Sequence, residues 1–127
     1  MTSDNIVSLL AGAIVLCAVA FLFGAPPVHA GECRGMKVSW YGNEHHGRKT
    51  ASGAVFNENA LTAAMMGRHH FGERWTLYYG KKSVEVRVND TGDFAKYGRG
   101  MDLSRGAFAK LAPTGRGVIQ VKACRVG

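Results

Sequence analysis

The chain predicts an all-β fold, a small closed barrel of roughly six short strands with one short helix, since closure leaves no exposed strand edge. Three observations predict it. Val84, Val86 and Val88 alternate with Glu85, Arg87 and Asn89, the period-two pattern of a strand with one buried face. Gly80-Lys81-Lys82 separates that run from a second β-rich run over residues 74–79, a hairpin signal. A capped helical stretch opens at Ser104, with Ala107, Phe108 and Leu111 on one face and a stop before Pro113.

Taken in order, residues 36–41 read as a first strand, rich in β-branched and aromatic side chains. Residues 42–59 are polar and contain glycine, which predicts a long surface loop; loops of that length in small domains usually carry function. Residues 60–64 fit either a short strand or a helical turn. Residues 74–79 and 83–89 form the hairpin. Residues 118–126 predict a last strand, with Ile119, Val121 and Ala123 facing one way.

The valine alternation stops at Asn89-Asp90-Thr91-Gly92, where turn-forming residues take over. Asp90 therefore sits at the lip of a strand with an apolar face behind it. A general acid is well placed there, and so is an aspartate that simply caps a turn.

The 127 residues contain no internal repeat, which bounds the chain to one domain. Residues 1–30 are expected to lie outside it. Residues 6–24 are almost wholly apolar and uncharged, and the stretch ends in Val28-His29-Ala30, the small-residue pattern of a signal-peptidase site. No Lys or Arg precedes the apolar run, and its length of about 20 residues also suits an uncleaved membrane anchor. Both readings export a domain over residues 31–127 to the bacterial periplasm or cell envelope. Membrane contact is expected only if the segment is not cleaved.

Cysteine usage agrees with export. Cys17 lies in the apolar run, where Ile14-Val15-Leu16 lacks the small residue of a lipoprotein signal. Cys33 and Cys124 stand near the two ends of the exported domain and read as one disulfide, worth roughly 4 kcal/mol in the chain-entropy model. No Cys-x-x-Cys occurs and the histidines are scattered, so neither a metal nor another cofactor is expected. Asp4 is the one charged side chain among the first thirty residues. All sixteen basic residues and eight of the nine acidic ones lie beyond it, raising the net charge from +7 for the chain to +8 for the domain. That excess favours anionic partners such as wall polymers. Export and the absence of a clustered basic helix argue against nucleic acid.

Several blocks, in order, carry a family resemblance: Ser39-Trp40-Tyr41-Gly42, His46-Gly47-Arg48-Lys49-Thr50-Ala51-Ser52-Gly53 and Asn59-Ala60-Leu61-Thr62-Ala63-Ala64. Phe71-Gly72, Val86-Arg87-Val88-Asn89-Asp90-Thr91-Gly92 and Met101-Asp102-Leu103-Ser104 continue it. Together they resemble the rare lipoprotein A (RlpA)-like proteins, which are related to the first domain of expansins. The resemblance implies a six-stranded double-psi β-barrel with a groove over one face, acting as a monomer on peptidoglycan glycan strands. Active members are lytic transglycosylases that cleave the bond between N-acetylmuramic acid and N-acetylglucosamine and leave a 1,6-anhydro ring. It implies Asp90 as the catalytic acid and base, with Tyr41, His46, Arg48, Thr50, Asn89 and Asp102 lining the groove.

The chain also departs from that family. Ala54 stands where Glu is usual, Asn57 where Asp is usual, Met65 where His is usual, and Thr91 and Asp93 where Arg and Pro flank the glycine. These changes leave a non-catalytic, expansin-like glycan-binding module as the alternative. Asp93 is either a second carboxylate near Asp90 or a solvated loop residue. Asp102 either touches substrate or holds loop amides. The Tyr41 ring either stacks on a sugar or packs internally. The neighbouring pairs His45-His46 and His69-His70 are not expected to bind metal, because adjacent strand side chains point apart.

Overall fold

The computed structural model describes residues 31–127; the leader expected over residues 1–30 lies outside them. Six strands close into a barrel: β1 (Cys33–Tyr41), β2 (Thr62–Ala64), β3 (Arg74–Tyr79), β4 (Lys82–Asp90), β5 (Arg99–Ser104) and β6 (Ile119–Arg125). Their order around the barrel is β1-β5-β2-β4-β3-β6. The pairs β1–β5 and β2–β4 are parallel, and the other four are antiparallel. Parallel neighbours cannot be joined by a tight turn. The long segments after β1 and β4 each join strands that are not neighbours, passing over β5 and β2 respectively.

Period-two patterning fills the barrel. Val84, Val86 and Val88 of β4 are buried while Glu85 and Arg87 are exposed, and Trp75 and Leu77 of β3 and Val121 and Ala123 of β6 meet them inside. Fully burying side chains of this size stabilises by about 1.5–3 kcal/mol each. The helix α1 (Arg105–Ala109) closes one side with Ala107 and Phe108, and the Ser104 hydroxyl caps it by accepting from the Ala107 N–H at 3.2 Å. Leu111 lies past the end of the helix but is buried with it. Gly106 is needed here: a Cβ would stand 2.7 Å from the Asn59 carbonyl oxygen. The Gly106 N–H meets the Glu58 carbonyl instead, at 2.7 Å.

Residues 62–64 resolve as strand. Two expectations need correction. β5 had no strand signal of its own, because Gly100 interrupts it and its last two residues, Leu103 and Ser104, are both buried. The segment 42–59 is more than a surface loop: Phe56 and Thr50 are buried in it, and Lys49 bridges Val55. Cys33 and Cys124 face each other across β1 and β6 and are joined by a disulfide.

Candidate active site

The site begins with an irregularity in β4. Ala63 pairs with Val88 and Ala64 with Asp90, so Asn89 is an extra residue with no opposite number. Such a bulge re-aims the side chain that follows it. Directly opposed residues share a face of the sheet. Asp90 therefore lies beside Ala64, which on its other side lies beside Asp102 of β5, and Asp102 lies beside Ser39 of β1. A row Asp90–Ala64–Asp102–Ser39 crosses four strands on the outer face. The methyl group of Ala64 leaves the space between the two carboxyls open. With strands spaced about 4.8 Å apart, their backbones are roughly 10 Å apart.

A cavity of about 160 Å³ sits on this row, lined by Tyr41, His45, Asp90, Thr91, Phe94 and Asp102, among others. That is well under the roughly 300–1,000 Å³ of a pocket that encloses a small molecule. It suits a dent that takes one unit of a longer chain.

Asp90 is held by three donors. Its Oδ1 accepts from the backbone N–H groups of Ala51 and Thr91, both at 2.9 Å, and its Oδ2 accepts from the Tyr41 hydroxyl at 3.2 Å. The first of these bonds explains the segment 42–59. Thr50 is buried, its hydroxyl bonds that of Ser52, and its N–H meets the Ala54 carbonyl. The turn so formed points the Ala51 N–H at Asp90, and Arg68 clasps the Ala51 carbonyl at 3.1 Å. Tyr41 stacks on Phe56 with ring centroids 4.5 Å apart and meets His45 edge-on. One face of its ring is thus occupied by packing, and the group it offers the cavity is its hydroxyl. Burial first, then the charge and hydrogen bond of Asp90, push the phenol far above its ordinary pKa. Tyr41 remains a neutral donor.

Asp102 accepts from the Ser39 hydroxyl at 2.8 Å, and Arg99 in turn donates to Ser39. Its hydrogen-bond partner is a hydroxyl, not the loop amides. Burial raises its pKa; the Ser39 bond and the charges of Arg99 and His45 offset this only in part, while Asp90 adds to the rise.

The structure gathers Tyr41, Asp90 and Asp102 at the cavity, and not the rest of the expected groove set. Thr50 shapes the turn. Arg48 is exposed, and its carbonyl pairs with the Phe56 N–H. His46 is exposed and its Nδ1 accepts from the Glu58 N–H. Asn89 is the bulge residue, and its buried Oδ1 has no hydrogen-bond partner among the described residues. His45, the other half of the histidine pair, lines the cavity instead, with Phe94 beside it. Asp93 is exposed and ion-pairs with Lys96 at 3.4 Å, so it is a solvated loop residue. Met65 is buried in the barrel core, and Ala54 and Asn57 are exposed outside the cavity lining. No cluster of three or more metal-ligating side chains occurs among the described residues.

The chain is similar to known proteins in sequence and in fold. The lytic transglycolase family model matches residues 34–123. A probable endolytic peptidoglycan transglycosylase RlpA from Synechocystis sp. is 46% identical over 87 residues, covering 67% of this chain and 26% of that protein. An endolytic peptidoglycan transglycosylase RlpA from Campylobacter jejuni is 38% identical over 96 residues, covering 75% and 34%. The chain thus spans about a third or less of the length of these curated relatives. Among solved structures, the Streptomyces papain inhibitor superposes with a TM-score of 0.66 at 23% identity, covering 77% of this chain and 97% of that one. A mutant expansin from Clavibacter michiganensis in complex with cellohexaose gives 0.63 at 16% identity, covering 76% and 51%. Both share the fold. The match over residues 34–123 and the RlpA relatives, together with the closed six-stranded barrel, place the chain in the lytic transglycolase family of RlpA-like double-psi β-barrels.

Proposed function

We propose that this chain is a lytic transglycosylase of the cell envelope that cleaves peptidoglycan between N-acetylmuramic acid and N-acetylglucosamine, with Asp90 as acid and then base. The observation that carries the reading is the asymmetric setting of Asp90. Oδ1 accepts from two backbone N–H donors, Oδ2 accepts among the described residues from the Tyr41 hydroxyl alone, and Asp90 lines the cavity. A transferable proton therefore belongs on Oδ2. It passes to the glycosidic oxygen as the bond to C1 breaks. The resulting carboxylate then takes the proton of the C6 hydroxyl as O6 closes on C1. The proton count balances with no water consumed, so the second carboxylate that activates water or attacks C1 in ordinary glycoside hydrolysis is not required. Tyr41 donates to the carboxylate between the two transfers. Asp102 and His45 border the same cavity and would bind the sugar. Residues 1–30 would serve as export signal or anchor. The relatives named as transglycosylases support the activity.

A second reading, a glycan-binding module without turnover, is favoured by one observation. The segment 42–59 brings no carboxylate into the cavity lining: Glu44 and Glu58 are not among the lining residues, and Ala54 and Asn57 stand exposed outside it. Incubating the full chain with purified peptidoglycan and analysing soluble products by mass spectrometry separates the two. Release of 1,6-anhydro products is expected. Binding to the insoluble wall with no such product from acid to neutral pH would overturn the enzymatic reading and leave the binding module.

A further inference from the structure

The barrel has a second and larger cavity, of about 320 Å³, lined by Arg34, His69, His70, Glu73, Trp75 and Arg125. It shares no residue with the Asp90 cavity. One sits at the start of β1 and the other at its end.

Its composition conflicts with the barrel's own patterning. In β1 the buried residues Met36 and Val38 mark the inward register, and Arg34 falls in it. In β6 Ile119, Val121 and Ala123 mark it, and Arg125 falls in it. Trp75, inward in β3, lies directly opposite Arg125. Two arginines thus occupy positions that the period-two rule reserves for core side chains. Inward charges can protect an exposed sheet edge, but a closed barrel has none.

The one acid of the cavity already has its partners. Glu73 is buried; its Oε1 accepts from the Trp75 indole N–H at 3.0 Å and bonds His70 Nδ1 at 2.8 Å, and its Oε2 lies 3.5 Å from Arg125. The two arginines of the cavity are less fully engaged than its acid. The buried Nε of Arg125 has no hydrogen-bond partner among the described residues. Arg34 lies over the Trp75 ring at 5.4 Å, and its ion pair among the described residues is with the exposed Glu32 at 3.3 Å. The Cys33–Cys124 disulfide fixes the backbone immediately before both arginines.

We propose that this barrel mouth is a second binding site, for an organic carboxylate seated between Arg34 and Arg125 against Trp75. Paired guanidinium groups match a carboxylate in shape and charge, and such bonds are among the stronger ones proteins make. The carboxylate belongs either to the end of a short peptide or to an acidic amino sugar. The site does not rest on the chemistry of Asp90.

The test uses the full chain labelled with ¹⁵N. The probes are N-acetyl-D-alanyl-D-alanine, its C-terminal amide, N-acetylmuramic acid and the uncharged N-acetylglucosamine. The reporter is the indole N–H of Trp75, which donates to Glu73; that of Trp40, which donates to the Thr114 carbonyl, is the internal control. At least one carboxylate probe is expected to shift the Trp75 signal saturably while its uncharged counterpart leaves it in place, and the tighter probe identifies the source. Arg34→Gln, at a side chain 49% exposed, should weaken that binding roughly tenfold or more with the fold intact. Arg125→Gln is the second variant. A Trp75 signal unmoved by both carboxylates, moved equally by the amide, or unchanged in affinity in both variants would overturn the proposal. None of these outcomes bears on turnover at Asp90.

Discussion

Asp102 in the outer groove and Glu73 at the barrel mouth are both carboxyls taken out of water, and they respond in opposite directions. Burial is the largest influence on each and pushes both pKa values up. At Glu73 the bonds from His70 and Trp75 and the charges of His70 and Arg125 outweigh it, and the group is held below its ordinary value. At Asp102 one hydroxyl and two more distant cations do not, and Asp90 adds a like charge, so the group rises. Burial alone therefore does not separate the two regions. The donors aimed at each carboxyl do. The mouth uses Glu73 to hold the barrel end together, while the groove leaves Asp102 with one hydroxyl donor beside an open cavity.

The severest challenge to that contrast is Asp90→Asn. The variant keeps an acceptor oxygen for the Ala51 and Thr91 N–H groups, so the turn should survive and the melting temperature should change little. Only the transferable proton is lost, and release of 1,6-anhydro products should fall about 10²–10⁴-fold. Equal product release by variant and wild type would make Asp90 a turn residue, a carboxylate kept for its hydrogen bonds as Glu73 is at the mouth. Next in size is the disulfide, which closes a span of 91 residues. Replacing Cys33 and Cys124 together by Ala should cost roughly 4 kcal/mol in the chain-entropy model, read as a shift in the urea midpoint. A midpoint within error of wild type would show that the strand ends pair as well without it.

The sequence reached these two regions unequally. β3, β4 and β6 were legible because one face is buried and the other wet, and the Ser104 cap because its hydroxyl does local work. β5 was hidden by Gly100 and by two successive buried residues. Asp90, Tyr41 and Asp102 were placed in the groove by family blocks, but His46, Arg48 and Thr50 turned out to build the loop that carries the Ala51 N–H. A backbone donor has no side-chain signature, so that role could not be read from residue types. His45 was missed because adjacent residues point apart and nothing local says which one faces the site. The mouth was missed for another reason: Arg34 and Arg125 look like ordinary surface charges until strand register shows that they face inward.

Glu73→Ala measures the mouth directly. It leaves the Trp75 N–H and the Arg125 guanidinium without their acceptor, and should cost about 3 kcal/mol at neutral pH, the lower end for breaking a buried charge pair, since Arg125 stays 25% exposed. A folded-state pKa below the ordinary 4.5 means that Glu73 stabilises fully above that value and loses its contribution as pH falls through the lowered one. The gap between variant and wild type in urea unfolding should therefore narrow under acid conditions. A gap independent of pH would mean that the loss is packing and not charge.

The smallest effect, and the sharpest discriminator of the two carboxyls, is Asp102→Asn. The amide oxygen can still accept from Ser39, so the hydrogen bond is retained while the charge is removed. Because the folded-state pKa is raised above the ordinary 3.8, the protonated carboxyl is the form that folding favours. The stability it contributes is full below that value and is lost as pH rises through the raised one. At neutral pH, well above the ordinary value, holding this carboxyl out of water beside Asp90 is a net cost. Asp102→Asn should then unfold at a slightly higher temperature than wild type at pH 7 and at the same temperature near pH 3, opposite in sign to Glu73→Ala. Thermal melts at the two pH values decide it. A variant less stable than wild type at pH 7 would mean that Arg99 and His45 already compensate the Asp102 charge, and that groove and mouth hold their acids by the same means.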